Sequence, residues 1–312
     1  MIQAREIARY ARNGLTIIEL IVAIGVTAIL VAMSLVGVQY ALESSRRISC
    51  QNNLRQIAMA CQNYETRWRS FQPGCGRIPT YQFGPWVPIL ADLEVVLDSA
   101  KIMKTQMNVQ GMPKFDFDDV RPRVLVCPSD GGQGINYRVN MGSEPYPTRV
   151  GSLKIGDGAY VAYESVRLSE FTDGLSNTAL VAERLQGKGS KSRASVYFFG
   201  QYFPNADEAC EAMRSDISVR DRNDWAGGSW AVGGFLHSWY SHIDTPNAPR
   251  DGFFTNGDFT PTYFAALQGA IGTSSYHGGG INVSFADGSV SFVDSSVDRS
   301  LWRQLGTKSE GR

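Results

Sequence analysis

With 312 residues, 43% of them hydrophobic and 19% charged, the chain is long enough to bury a core as one large domain or two small ones. Thirty Lys and Arg balance thirty Asp and Glu. There is no basic excess of the kind a nucleic-acid surface needs, so nucleic acid is set aside as a partner. The 32 Gly and 13 Pro fall mostly after residue 70, which predicts a head of short strands and many turns.

Residues 1–14 read as a short polar leader, with Arg5, Arg9 and Arg12 against Glu6. From Leu15 to Val38 the chain is apolar and carries one charge, Glu19. As a helix, this segment spans about 36 Å, enough to cross a hydrocarbon core. The basic leader favours a cytoplasmic N-terminus, which puts the head on the periplasmic or extracellular side. A charge inside such a span is costly, so it is usually paired and functional. A secretory signal has a shorter apolar region and a small-residue cleavage site, matched here only by Ala32-Met33-Ser34. A plain signal anchor gives no reason for Gly14 or Glu19.

The segment Arg12-Asn13-Gly14-Leu15-Thr16-Ile17-Ile18-Glu19-Leu20 resembles the processing site of type IV prepilins and type II secretion pseudopilins. The resemblance implies that a prepilin peptidase cuts between Gly14 and Leu15 and that the new Leu15 amine is methylated. Leu15 departs from the Phe usual at that position. The resemblance also implies that Glu19 pairs with the N-terminal amine of a neighbouring subunit. An unpaired carboxylate in lipid is expensive, so such pairing favours assembly in register. The implied partners are the peptidase, other pilin-like subunits through the N-terminal helix, and the bacterial inner membrane, crossed once.

Residues 41–66 contain no Pro or Gly, and Cys50, Leu54, Ile57, Cys61 and Tyr64 recur every three or four positions. This is one amphipathic stripe. It predicts a single helix over residues 15–68, half transmembrane and half amphipathic, packed on a head of residues 69–312. The cysteines are Cys50, Cys61, Cys75, Cys127 and Cys210, an odd number with no CxxC pair. Cys50 and Cys61 lie about 16 Å apart along the helix and cannot bridge each other. A bridge from either must reach Cys75, Cys127 or Cys210. Burial as a small apolar residue is the other reading, favoured more for Cys61 than for Cys50.

In the head, Asp173-Gly174 predicts a turn before the apolar run from Thr178 to Ala182. The segment from Asn282 to Val293 predicts a hairpin with a two-residue type I′ turn at Asp287-Gly288. That register pairs Phe285 with Val290 and Val283 with Phe292. It places all four on one face and Ser284, Ser289 and Ser291 on the other. Residues 200–272 are rich in Gly, Trp, Phe and Asp without periodicity, and are expected as an insertion. The fold class expected is α+β, with a mostly antiparallel sheet.

Four landmarks recur in order along the chain. They are the stretch from Arg46 to Ile57, Val126-Cys127-Pro128-Ser129-Asp130, the stretch from Phe171 to Thr178, and His277 followed by Asp287-Gly288. Together they resemble the DUF1559 proteins, pilin-like chains with a C-terminal H-X9-DG signature. The resemblance marks Cys127, Asp173, Gly174, His277, Asp287 and Gly288 as family positions and implies a pilin-like fold. Asp287 and Gly288 are explained by the turn. His277 is expected to bond a backbone group or the Asp287 side chain, a structural role ahead of a ligand-binding one.

No constellation for catalysis is visible. His237, His242 and His277 lack the HExxH arrangement, and there is no GxSxG elbow or Cys-protease context. The expectation is a protein that is not an enzyme and needs no cofactor. Asp251, Asn256 and Asp258 offer oxygens to calcium in a Gly-containing loop, although a solvated loop is the preferred reading. Trp225, Trp230 and Trp239 suit a core better than a glycan platform. Asn282-Val283-Ser284 is a sequon inside a predicted strand and is discounted. The leading function is a structural subunit, a minor pilin or pseudopilin of a filament or type II secretion-like assembly. The alternative is a membrane-tethered module that binds a glycan or protein. An anchored hydrolase comes last.

Overall fold

The computed structural model describes residues 16–78, 81–93, 106–107, 113–114, 122–130, 134–143, 157–186, 196–199, 207–208, 211, 221–223, 227–235, 237–248, 252–255 and 269–309. The chain forms two compact units, Met1–Ser45 and Arg46–Arg312. Helix α1 (Ile17–Trp68) is unbroken, as the pattern predicts. Its first part is apolar on every side, and Ile17, Leu20, Ile24, Leu30 and Leu35 are all exposed. This part is long and apolar enough to cross a membrane. In its second part Cys50, Leu54, Ile57, Ala58, Ala60 and Cys61 are buried, with Tyr64 packed at the margin. That is the predicted stripe.

Small paired elements come first in the head: β1 (Gly76–Ile78) with β2 (Tyr81–Phe83), and β3 (Gln106–Met107) with β4 (Pro113–Lys114). The main sheet is built from β5 (Tyr137–Asn140), β6 (Ala179–Glu183), β9 (Trp239–Tyr240), β12 (Gly280–Phe285) and β13 (Val290–Asp294). Its order is β13-β12-β6-β5-β9. Every pair in it is antiparallel except β5 with β9. A second sheet has the order β11-β10-β7-β8, from β7 (Val196–Phe199), β8 (Asp221–Asn223), β10 (Gly252–Thr255) and β11 (Gly269–Ile271). The head is therefore α+β with mixed, mostly antiparallel sheets, in keeping with a pilin-like fold.

Cross-strand register decides which side chains meet α1. Val139 lies opposite Val181, Val181 opposite Ser284, and Ser284 opposite Val290. This face shares one core with Cys50, Leu54, Ile57 and Cys61. The opposite face carries Ala182, Ile281 and Val283, packed with Tyr240 and with Trp302 of α2 (Arg299–Gln304). All six residues of β12 are buried because the strand is covered on both sides.

The hairpin register differs from the expected one. Phe285 N–H donates to the Ser289 carbonyl at 2.9 Å, and Gly288 N–H donates to the Phe285 carbonyl at 2.9 Å. The loop is thus Ala286-Asp287-Gly288, a three-residue turn with Gly288 in the left-handed region at φ +86°. The extra loop residue moves the pairing by one, so Val283 faces Ser291 and Asn282 faces Phe292. A one-residue slip exchanges the faces. Phe292 therefore joins the α1 side, where the Arg47 guanidinium lies 3.5 Å from its ring centroid. The expected single apolar face assumed a strand wetted on one side, which β12 is not.

Part of the stretch expected as an insertion is woven into the main sheet. Residues 227–248 contribute strand β9 and the buried Trp230, Phe235 and Trp239. The Trp239 indole donates to the Gly74 carbonyl at 2.7 Å. Trp230 and Trp239 are core residues, whereas Trp225 lies outside the described residues.

The C-terminus closes the second face. The Asp298 carboxylate caps α2 by accepting from the N–H groups of Ser300 (2.9 Å) and Leu301 (3.1 Å). Trp302 stacks on buried His242, with ring centroids 3.9 Å apart. His242 Nδ1 is 2.8 Å from the Trp302 carbonyl oxygen and must donate to it. Its Nε2, 2.9 Å from the Tyr240 hydroxyl, therefore accepts. Burial pushes the imidazole pKa down to about 3, against a smaller upward pull from the Trp302 carbonyl. The unfolded chain binds this proton near pH 6.5 and the folded chain does not. The contribution of His242 to stability is therefore complete above pH 6.5 and is lost as pH falls toward 3. Urea unfolding between pH 6 and pH 4 is expected to show a slope of about 1.4 kcal/mol per pH unit from this residue. His242→Gln is expected to remove that slope.

Candidate functional site: the helix start and the fastening of the head

Gly14 and Leu15 lie outside the described residues. Glu19 is the first charge of α1, and its carboxylate accepts from the Thr16 N–H at 2.9 Å and from the Thr16 hydroxyl at 2.9 Å. The Glu19 N–H donates back to Thr16 Oγ1 at 3.3 Å. This is a capping box, which satisfies otherwise unpaired backbone groups at a helix start. Sequence reasoning missed it, although Thr16-Ile17-Ile18-Glu19 has the required spacing.

In the head, the landmarks meet along the second part of α1. Cys50 bridges Cys127, with Cα atoms 5.5 Å apart. The three possible partners of Cys50 thus reduce to one. Gln51 donates to Asn282 Oδ1 at 3.1 Å, and Asn53 donates to the Val126 carbonyl at 3.0 Å. The Cys127 N–H donates to Asn136 Oδ1 at 2.9 Å. Asp130 accepts from Asn136 Nδ2 at 2.6 Å and from the Gln186 N–H at 2.8 Å. The loop around Cys127 is therefore held rigidly beneath the helix. Cys61 keeps a buried thiol between Tyr160 and Gln72, and burial pushes its pKa up to about 11. A thiol so hard to ionise is inert. Cys75 is buried as well, and Cys210 lies outside the described residues.

The two predicted turns meet each other. Gly174 takes φ +96°, and the Asn177 amide donates to the Asp173 carbonyl at 2.9 Å. The Asp287 N–H donates to the Leu175 carbonyl at 3.2 Å, and the Ala286 N–H to the Thr178 carbonyl at 3.0 Å. Gly288 sits so close to α1 that a Cβ there would lie 2.7 Å from Gln62 Nε2. Asp287 accepts from the Ser289 N–H and hydroxyl at 2.9 and 2.7 Å, which stiffens the turn.

His277 does not meet Asp287, which corrects one of the two partners expected for it. The extended β12 separates the two by roughly 20 Å, at about 3.3 Å per residue. Instead His277 is buried with Nε2 3.6 Å from Cys127 Sγ and 3.4 Å from Glu183 Oε1. Glu183 ends β6 on the α1 side of the sheet. It accepts from the Asn282 N–H at 2.8 Å and the Asn282 amide at 2.9 Å. Glu183 and Asn282 were not foreseen. The available signal was a charge closing the apolar run at Ala182-Glu183. The ligand-type atoms of Cys50, Cys127, Glu183 and His277 all lie within 4.8 Å of one another. Asn282 is fully buried in a strand, so its sequon is inaccessible. Asp251, Asn256 and Asp258, the calcium candidates, lie outside the described residues.

A family model described as "Protein of unknown function (DUF1559)" matches residues 39–300. The chain belongs to the DUF1559 family. The match covers the second part of α1 and nearly the whole head, including Cys50, Cys127, Asp173, Gly174, His277, Asp287 and Gly288. No curated relative and no solved structure matches the chain. In this DUF1559 chain Cys127 and Gly288 meet α1 directly, at Cys50 and Gln62, and the disulfide is the one covalent tie among the described residues. The bridge closes a loop of 77 residues. Replacing both partners, Cys50→Ala with Cys127→Ala, is expected to lower stability by about 2–5 kcal/mol. The loss would be read as a lower unfolding midpoint of the detergent-solubilised chain.

Proposed function

We propose that the chain is a membrane-anchored, pilin-like structural subunit rather than an enzyme. In this reading a prepilin peptidase removes residues 1–14, Leu15 becomes the methylated N-terminus, and α1 carries the subunit into a filament or type II secretion-like assembly as a minor component. The membrane is the bacterial inner membrane, with the head on its outer side. The observation that carries the reading is Glu19, the one charge among the exposed apolar side chains that open α1. A carboxylate there is costly in lipid, and a neighbouring subunit's amine would offset that cost. The landmark residues of the head support the reading, because they fasten α1 to the sheet. The reading invokes no cofactor.

The Thr16–Glu19 capping box favours a second reading. It gives Glu19 a task within its own chain, as a simple anchor for a head that binds a glycan or protein would need. Two experiments separate the readings. Mass spectrometry of the protein from native membranes is expected to find a methylated Leu15 start; an intact Met1, or a start beyond Ala32, overturns the pilin-like reading. Glu19→Ala is expected to leave membrane association intact but to remove the protein from sheared surface filaments or pseudopili. Unchanged recovery in that fraction favours the tethered module.

A further inference from the structure

We propose that Cys50, Cys127, Glu183 and His277 form a zinc site whenever the two sulfurs are reduced, so that one buried position is closed either by a disulfide or by Zn²⁺. The four residues come from four separate segments: α1, the loop after residue 125, β6, and the approach to β12. All four are buried. Thiolate, imidazole and carboxylate are the donors that zinc takes in tetrahedral sites.

Two of the edges already have the required lengths, and reduction frees the sulfur–sulfur edge, now a bond, to open to about 3.8 Å. With Zn–S of about 2.3 Å and Zn–N and Zn–O of about 2.0–2.1 Å, a tetrahedron has S–N edges of about 3.6 Å and N–O edges of about 3.4 Å. Cys127 Sγ to His277 Nε2 is 3.6 Å, and His277 Nε2 to Glu183 Oε1 is 3.4 Å. A hydrogen bond between that nitrogen and oxygen would normally be shorter, about 2.7–3.2 Å. One ring nitrogen thus points between a sulfur and an oxygen, at the separations that a shared metal ion would set. Asn282 holds Glu183 by two donors, and Gln51 holds Asn282, which supplies the outer support that metal ligands need.

The chemistry balances. In a newly made chain both sulfurs are thiols, and Zn²⁺ binding releases their two protons to solvent. Closing the bridge expels Zn²⁺ and passes two electrons to a disulfide oxidant, which takes up two protons and leaves as a dithiol. Each state ties the same point of α1 to the same loop. The metal therefore holds the head together until the chain meets an oxidising compartment.

The test uses cobalt as the probe. The full chain is made in a cell-free reaction with detergent micelles, under a thiol reductant and with Co²⁺ present, and is then freed of loose metal by gel filtration. The expected result is one retained cobalt per chain, with thiolate-to-cobalt charge-transfer absorption and the visible bands of a tetrahedral ion. Oxidation by a small disulfide should release the cobalt. Cys127→Ser and His277→Gln should each lower retained cobalt about tenfold or more, and Cys127→Ser should also weaken the charge-transfer band. A folded reduced chain without cobalt overturns the proposal. So do a cobalt spectrum unchanged in Cys127→Ser and a reduced chain that stays unfolded despite the metal. Cys61→Ser is the control and should keep the full cobalt signal.

Discussion

A helix face that is wholly buried needs a partner surface along its full length, and it must be kept there against the conformational freedom of a long chain. In this protein Cys50, Leu54, Ile57 and Cys61 form such a face, and the sheet side carrying Val139, Val181 and Ser284 is its partner. Burying these side chains gives favourable free energy in proportion to area, but that term has no direction. Direction comes from the fasteners: the Cys50–Cys127 bridge, the Gln51 and Asn53 amides, and the turn that sets Gly288 against Gln62. Without them the stripe could slide by a helical turn and remain apolar against apolar.

The polar fasteners also explain why the buried polar groups are tolerable. Glu183, Asn282 and Asn136 are almost without solvent exposure. A buried polar group costs free energy unless it is bonded. Each is bonded here, Glu183 through Asn282, Asn282 through Gln51, and Asn136 through Cys127 and Asp130. Satisfied networks of this kind specify one packing, because any shift leaves a donor or acceptor unmatched. The same network brings His277 beside the bridging sulfurs, so the point that fixes the helix is also where thiol and metal chemistry is possible.

The two parts of α1 answer to different surroundings. The first part shows apolar side chains on every side, a surface suited to lipid or to other apolar helices. The second part is amphipathic and has its partner within the head. The DUF1559 family model's match begins at residue 39, near the change from one to the other.

Sequence alone determined what depends on local spacing. The unbroken α1, its stripe at Cys50, Leu54, Ile57 and Cys61, and the turns at Gly174 and Gly288 follow from periodicity or from a glycine's conformational freedom, and the core role of Trp239 from the apolar area an indole buries. Tertiary structure decided what depends on separation along the chain. Cys127 became the partner of Cys50 because the loop carrying it packs under α1, and sequence left three candidates equal. The hairpin took a three-residue loop because β12 is covered on both faces, so hydrophobic alternation could not choose between registers. His277 met Glu183 and Cys127 rather than Asp287 because a strand is stiff and extended. Residues ten apart along it are held far from each other, while residues far apart in the chain become neighbours across the sheet.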